Sequence, residues 1–213
     1  MADLTAIRSE YARAGLSERD ALPSPIAHLD KWLHEAIDAQ HPEPTAMTLA
    51  TASLAGEPSA RVVLLKGLDD RGLVFFTSYD SDKGRALEAN PRASACLFWN
   101  MLERQVRVTG SVVKVAREES EAYFATRPRE SQIGAWASKQ SGVIAGRAEL
   151  EARVTEVSAR FGEGPVPCPE TWGGYRLVPD VVELWQGRPS RLHDRLRYTR
   201  KGDARWLVER LSP

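Results

Sequence analysis

The chain has 213 residues and carries 29 Lys/Arg against 29 Asp/Glu, a formal balance of zero. That length supports one sizeable domain with a real core, and the balance gives no electrostatic reason to expect a nucleic acid or an anionic membrane as partner. The two cysteines, Cys96 and Cys168, form neither a zinc pattern nor a disulfide framework. No apolar run approaches the ~20 residues of a membrane helix, and the polar N-terminus lacks the apolar stretch of a signal peptide. A cytoplasmic protein with no metal site is expected.

Residues 3–14 read as a polar, amphipathic helix, and residues 1–20 as a mobile N-terminal arm ahead of a single domain over 21–213. Ser24 is placed to cap a helix with Pro25 at its first position. Leu29, Trp32, Leu33 and Ile37 give that helix one apolar face, and His41-Pro42-Glu43-Pro44 stops it. The texture then changes to period two. Strands are expected over 46–52, 61–66 and 73–77, a short helix capped by Ser81 through Leu87, and strands over 93–99 and 105–115. Helices follow over 118–126, 132–137 and 148–161. A Gly/Pro-rich loop over 162–169 leads to closing strands near 175–177, 181–185, 192–198 and 206–210. Short strands with turn signals and a few helices mean an α+β protein built on an antiparallel sheet or barrel.

Positive charge gathers at the C-terminus, with eight Lys/Arg against three Asp/Glu between Gln186 and Pro213. Strand alternation predicts that Arg191, His193 and Arg195 share one face, with Leu192, Asp194 and Leu196 on the other. An imidazole between two guanidiniums suits an anion or an electron-rich transition state. Arg61 and Lys66 stand at the two ends of a strand, on opposite faces by alternation but within reach of one ligand lying across its end. Ser81, Lys83 and Arg85 open a helix, where free N–H groups favour phosphate. Tyr123, Arg127 and Ser131 are spaced by four along a helix and its exit and can hold a phosphate monoester. Gln105, Gln140 and Ser141 offer groups that read the edge of a heterocycle, whereas Trp172, Trp185 and Trp206 are expected to be packed in the core. The chain has no βαβ rhythm, G-x-G-x-x-G, P-loop, nucleophile elbow or H-E-x-x-H. Scattered cationic patches without an acid–base pair suit a bound phosphorylated cofactor that supplies the chemistry itself.

Read in order, Arg61-Val62-Val63-Leu64-Leu65-Lys66, Glu103-Arg104-Gln105-Val106, Arg127-Pro128-Arg129-Glu130-Ser131-Gln132-Ile133-Gly134-Ala135-Trp136, Trp172-Gly173-Gly174-Tyr175, Trp185-Gln186-Gly187 and Arg191-Leu192-His193-Asp194-Arg195 resemble the pyridoxine/pyridoxamine 5′-phosphate oxidase family. The resemblance implies an antiparallel split β-barrel that binds flavin mononucleotide (FMN), with peripheral helices, working as a homodimer with sites at the subunit interface. It implies an FMN site of Arg61, Lys66, Phe76, Thr77, Ser81 and Lys83, completed by Gln105, Gln140, Ser141, Trp185 and Arg195. The substrate phosphate would be gripped by Lys66, Tyr123, Arg127 and Ser131. Arg191 and His193 would be the catalytic pair over the pyridine ring, and Arg8 and Tyr11 would close the pocket from the arm. The implied reaction oxidises pyridoxamine or pyridoxine 5′-phosphate to pyridoxal 5′-phosphate, with O2 as acceptor and H2O2 as product. The rival readings are a split-barrel flavoprotein with another substrate and a non-catalytic flavin- or pyridoxal phosphate-binding protein. Asp82 departs from the family, which usually has an arginine beside the flavin phosphate; Arg85 is the candidate replacement. Phe76 stands where the family often has a tyrosine.

Overall fold

The period-two segments of the middle of the chain pair into one antiparallel sheet. The computed structural model describes residues 10–202 and 205–213. Helix α1 (Pro25–Asp38) starts as its sequence predicts, the Ser24 side chain accepting the Ala27 N–H and Pro25 filling the first turn. Strands β1 (Ala46–Ala52) and β2 (Pro58–Leu64) follow, then a short β3 (Gly67–Asp69) that the sequence reading lacks, and β4 (Gly72–Ser78). After α2 (Asp82–Ala89) come β5 (Arg92–Trp99) and β6 (Arg104–Lys114), then α3 (Arg117–Ala125), α4 (Arg129–Ala137) and α5 (Arg147–Phe161). The chain closes with β7 (Trp172–Gln186), β8 (Asp194–Lys201) and β9 (Arg205–Arg210).

The strand order is β2-β1-β5-β6-β7-β4-β3, with β8 on β7 and β9 on β8. Beyond β2 the Leu65 N–H still reaches Thr45 O, while the Lys66 N–H reaches Val74 O on β4, which draws the two ends of the sheet together. The two short strands expected near 175–177 and 181–185 are one long β7. One of its edges pairs with β6 from Tyr175 onward; the other pairs with β4 over its first half and with β8 over its second. The exchange of partners falls where the β6 register shifts between Thr109 and Gly110. Pro179, without an N–H, sits at this bulge, where a missing ladder bond is tolerated. Gly110 is required here, because a Cβ would lie 1.8 Å from Val178 O. The split of the sheet therefore has a local cause.

The main core fills the barrel and its α1 cover, with Leu29, Trp32, Met47, Leu49, Phe75, Leu97, Val108 and Leu184 among its buried members. A smaller cluster of Phe124, Ile133, Val166 and Trp172 packs under α3 to α5.

Two expectations fail. Residues 10–14, the described end of the expected N-terminal helix, are not helical; Arg13 N–H binds the Glu103 carboxylate and Leu16 N–H that of Asp194 instead. Arg191 and His193 are not on a strand. Pro189–Arg191 form a 3-10 turn with Ser190 at φ 56° and Arg191 at φ 63°, and β8 begins only at Asp194. Left-handed backbone breaks the alternation that put Arg191, His193 and Arg195 on one face.

Candidate functional site

A cleft of about 320 Å³ opens where β2, β4, α2 and the exit of α3 meet. Arg61 and residues 62–64 line it from β2, Phe76 and Thr77 from β4, Lys83 from the first turn of α2, and Tyr123, Arg127, Lys66, Gln140 and Trp172 complete it. Arg61 and Lys66 share this cleft because β2 ends at Leu64 and the chain turns before Lys66.

Its electrostatics are one-sided: Arg61, Lys66, Lys83 and Arg127 line the cleft and, among the described residues, no carboxylate does. The Arg61 guanidinium donates to neutral oxygens, Leu49 O at 3.1 Å, Thr51 Oγ1 at 2.9 Å and Ser59 Oγ at 2.6 Å. Lys83 Nζ donates to Gln140 Oε1 at 3.0 Å, Thr77 Oγ1 at 3.2 Å and Ser81 Oγ at 3.3 Å. Arg127 lies over the Trp172 ring, 4.7 Å from its centroid, and its buried Nη1 has no hydrogen-bond partner among the described residues. Burial pushes the pKa of Arg61 and of Arg127 down, and burial together with the Arg61 charge does the same to Lys83. Asp82 opposes the drop at Arg61 and Lys83 only in part; withdrawing cations from water is costly, and an anion in the cleft offsets that cost. The donor set therefore fits a phosphate-bearing cofactor or substrate.

An aromatic wall closes one side. Phe76 stacks on Tyr123 with centroids 4.0 Å apart and on Trp172 at 5.5 Å. Burial holds the Tyr123 phenol above its usual pKa, so it stays a neutral donor, with Arg127 opposing. Gly174 permits the stack, since a Cβ there would come 2.8 Å from the Phe76 ring. Trp172, read from sequence as core alone, thus also seats Arg127. The glycine pair after it is the signal that could have flagged it.

Other expected residues fall around this centre. Ser131 lines an adjoining recess of about 250 Å³ that shares Arg127, Gln140 and Trp172. Ser81 caps α2 and accepts from Lys83. The Ser141 hydroxyl accepts the Asp82 N–H at 3.2 Å, outside the cleft lining. Arg85 pairs with Asp82 and lines a neighbouring cavity of about 780 Å³ that shares Gln140 with the cleft, but it does not line the cleft itself.

The remaining residues form a second cluster. Gln105 pairs across the sheet with Trp185, and Trp185 with Arg195. The His193 ring lies 4.7 Å from that of Trp185, and Tyr11 stands edge-on to both at 5.7 Å. Gly187 makes room, since its Cβ would meet Tyr11 Cγ at 2.7 Å. Arg195 is committed to Glu183 at 3.0 Å and to Ser212 O at 2.8 Å. Burial alone would raise the Glu183 pKa, but Arg195 and Arg107 hold it below the usual range. None of these residues, nor Arg191, lines the cationic cleft; β7 reaches that cleft at its first residue, Trp172, but Trp185 stands near its far end, on the order of 40 Å away along an extended strand. One chain does not unite the expected site. Arg8 lies outside the described residues.

Residues 33–161 match a family model described as pyridoxamine 5′-phosphate oxidase, and residues 172–213 match one described as the pyridoxine 5′-phosphate oxidase C-terminal dimerisation region. The chain is 58% identical to a pyridoxine/pyridoxamine 5′-phosphate oxidase of Paraburkholderia phymatum, over all of both chains. It is 57% identical to one of Burkholderia thailandensis, again over all of both. Among solved structures, PhzG of Burkholderia lata in complex with tetrahydrophenazine-1-carboxylic acid is 34% identical, with a TM-score of 0.89 over 95% of this chain and 99% of that one. An FMN-binding, pyridoxamine 5′-phosphate oxidase-related protein of Nostoc punctiforme superposes with a TM-score of 0.71 at 17% identity, over 91% of this chain and 100% of that one, a likeness of fold alone. The barrel split at β7 is thus that of a known oxidase fold, and similarity at this level over the whole length makes the chain a member of the pyridoxamine 5′-phosphate oxidase family.

Proposed function

We propose that the protein is an FMN-dependent, cytoplasmic oxidase that converts pyridoxamine 5′-phosphate and pyridoxine 5′-phosphate to pyridoxal 5′-phosphate. The observation that carries this reading is the cleft with four cations and, among the described residues, no lining carboxylate and no hydrogen-bond partner for Arg127 Nη1. When bound, the flavin would supply a hydride acceptor for the substrate's 4′ carbon and a route for the electrons to O2, giving H2O2, while the imine formed from the amine substrate takes up water and releases ammonia. Arg61 and Lys83, fixed by neutral oxygens, hold the cofactor without needing to reorganise. The Gln140 Oε1 is taken by Lys83 and Thr77, which leaves its amide nitrogen to donate. Lys66, Tyr123, Arg127 and, from the recess, Ser131 grip the substrate phosphate.

Arg191 and His193 belong over the substrate ring, and Trp185, Gln105 and Arg195 against the cofactor. Their separation from the cleft within one chain, and the dimerisation region that contains all but Gln105, support a homodimer in which the second cluster of each subunit serves its neighbour's cleft.

The similarity to PhzG favours a second reading, oxidation of a carboxylated tricyclic substrate. The test is to load the purified protein with FMN, exclude oxygen, and add pyridoxamine 5′-phosphate, pyridoxine 5′-phosphate or tetrahydrophenazine-1-carboxylic acid separately. Bleaching of the flavin band by the phosphate esters, with recovery in air, is the expected result. Bleaching by the tricycle alone would replace the proposal with the second reading.

A further inference from the structure

The clustering of Tyr11 with His193 has a fixed origin in the loop before β8. Arg188 N–H donates to His193 Nδ1 at 3.1 Å. A backbone N–H can only donate, so Nδ1 is the unprotonated nitrogen and the neutral ring carries its proton on Nε2. Arg188 is itself pinned: its Nη1 donates to Ala14 O at 3.0 Å, and its Nε lies 3.5 Å from Asp194 Oδ2. The same Oδ2 accepts the Leu16 N–H at 3.0 Å, and Oδ1 accepts from Arg210 Nη1 at 2.7 Å. One carboxylate therefore joins the segment that carries Tyr11 to the loop that carries His193. Gly15 fits against this pair, where a Cβ would lie 3.3 Å from Arg188 Nη1.

We infer that Asp194 is a positioning residue: by clamping Arg188 and the Leu16 amide it holds His193 as the Nε2–H tautomer with Tyr11 beside it. Its bearing on turnover rests on the function proposed above; its bearing on the imidazole does not. His193 so held keeps its Nε2–H free to donate, with Nδ1 occupied by the Arg188 N–H. A ring fixed in one tautomer is pre-oriented toward a substrate, and misplacement by ~1 Å at such a site costs up to about a hundredfold in rate.

The experiment uses the FMN-loaded full-length protein labelled with 15N-histidine, with the His193 signals identified by their loss in His193→Gln. The ring-nitrogen resonances give the tautomer, and steady-state kinetics with pyridoxamine 5′-phosphate are measured on the same samples. The parent should show a single Nε2–H tautomer. Asp194→Ala should relax it toward the mixture of a solvent-exposed histidine and lower kcat/KM by about ten- to a hundredfold with FMN content unchanged. Asp194→Asn, which keeps an acceptor for the Leu16 amide, should recover part of both. An Nδ1–H tautomer in the parent, or ring resonances unmoved in Asp194→Ala, overturns the inference. A tautomer shift in a protein that never oxidises the substrate leaves the positioning role standing and removes the proposed function.

Discussion

His28 gives the most direct test of the energetics. It sits on α1 at 1% exposure, edge-on to Trp32 with centroids 5.0 Å apart, and among the described residues neither ring nitrogen has a hydrogen-bond partner. Burial drops its pKa from 6.5 to about 4, helped by Lys31 on the same helix and Arg104 on β6 and opposed by Glu35 and Asp20. Between those values the unfolded chain holds a proton that the folded chain refuses, so stability is greatest above pH 6.5 and is lost as pH falls toward 4. At ~1.4 kcal/mol per pH unit the full loss is ~3 kcal/mol, of which ~2 kcal/mol falls between pH 7 and pH 5. His28→Leu removes the titrating group and keeps an apolar side chain in the space. The assay is urea unfolding at pH 7 and pH 5, followed by tryptophan fluorescence at fixed protein and cofactor concentrations. The parent should lose ~2 kcal/mol more than the variant over that interval. Equal losses in the two proteins would refute the argument that a neutral imidazole is buried there.

Three further outcomes follow from the cleft and the sheet. Lys83→Met removes a charged donor with three neutral acceptors and should weaken FMN binding by ~1.5–3 kcal/mol, measured by quenching of flavin fluorescence; unchanged affinity would take Lys83 out of the cofactor site. Arg127→Gln should raise KM for pyridoxamine 5′-phosphate about tenfold or more while kcat changes less, because a phosphate grip is uniform binding. A fall in kcat alone would contradict that grip. Gly110→Ala drives a Cβ into Val178 O at the bulge and should cost at least ~3 kcal/mol or abolish soluble expression, read by thermal unfolding; a melting temperature like the parent's would show that the bulge can relax.

Much of the scaffold is legible because its signals are local. Ser24-Pro25 announces α1, the alternation of 46–52 gives β1, and Ser81 announces α2. The failures occur where tertiary contacts override the local pattern. Ser190 and Arg191 adopt left-handed backbone without a glycine or asparagine to advertise it, so a turn reads as strand. Separate strands are expected near 175–177 and 181–185, but a bulge beside Pro179 carries the chain between them and β7 runs on. At the site, the residue types of the cleft are legible while their convergence is not. Arg61 and Lys66 meet only because the chain crosses from β1 toward β4 after Leu64, and Arg85, read as a free cation, is already spent on Asp82. The family motifs group Trp185 and His193 with the cleft residues, whereas within a single chain only the Trp172 end of β7 lines the cleft.

Arg210 ties β9 to the early part of the chain. It donates to both Glu18 carboxylate oxygens and to Leu16 O, and the contact with Glu18 spans 192 positions. Synthesis runs from Tyr11 toward Arg210, so the segment that carries Tyr11 leaves the ribosome long before its anchor exists. Contacts of such separation form late. Until β9 has formed, the segment that carries Tyr11 therefore lacks the clasp from Arg210 and rests on Glu103, Arg188 and Asp194.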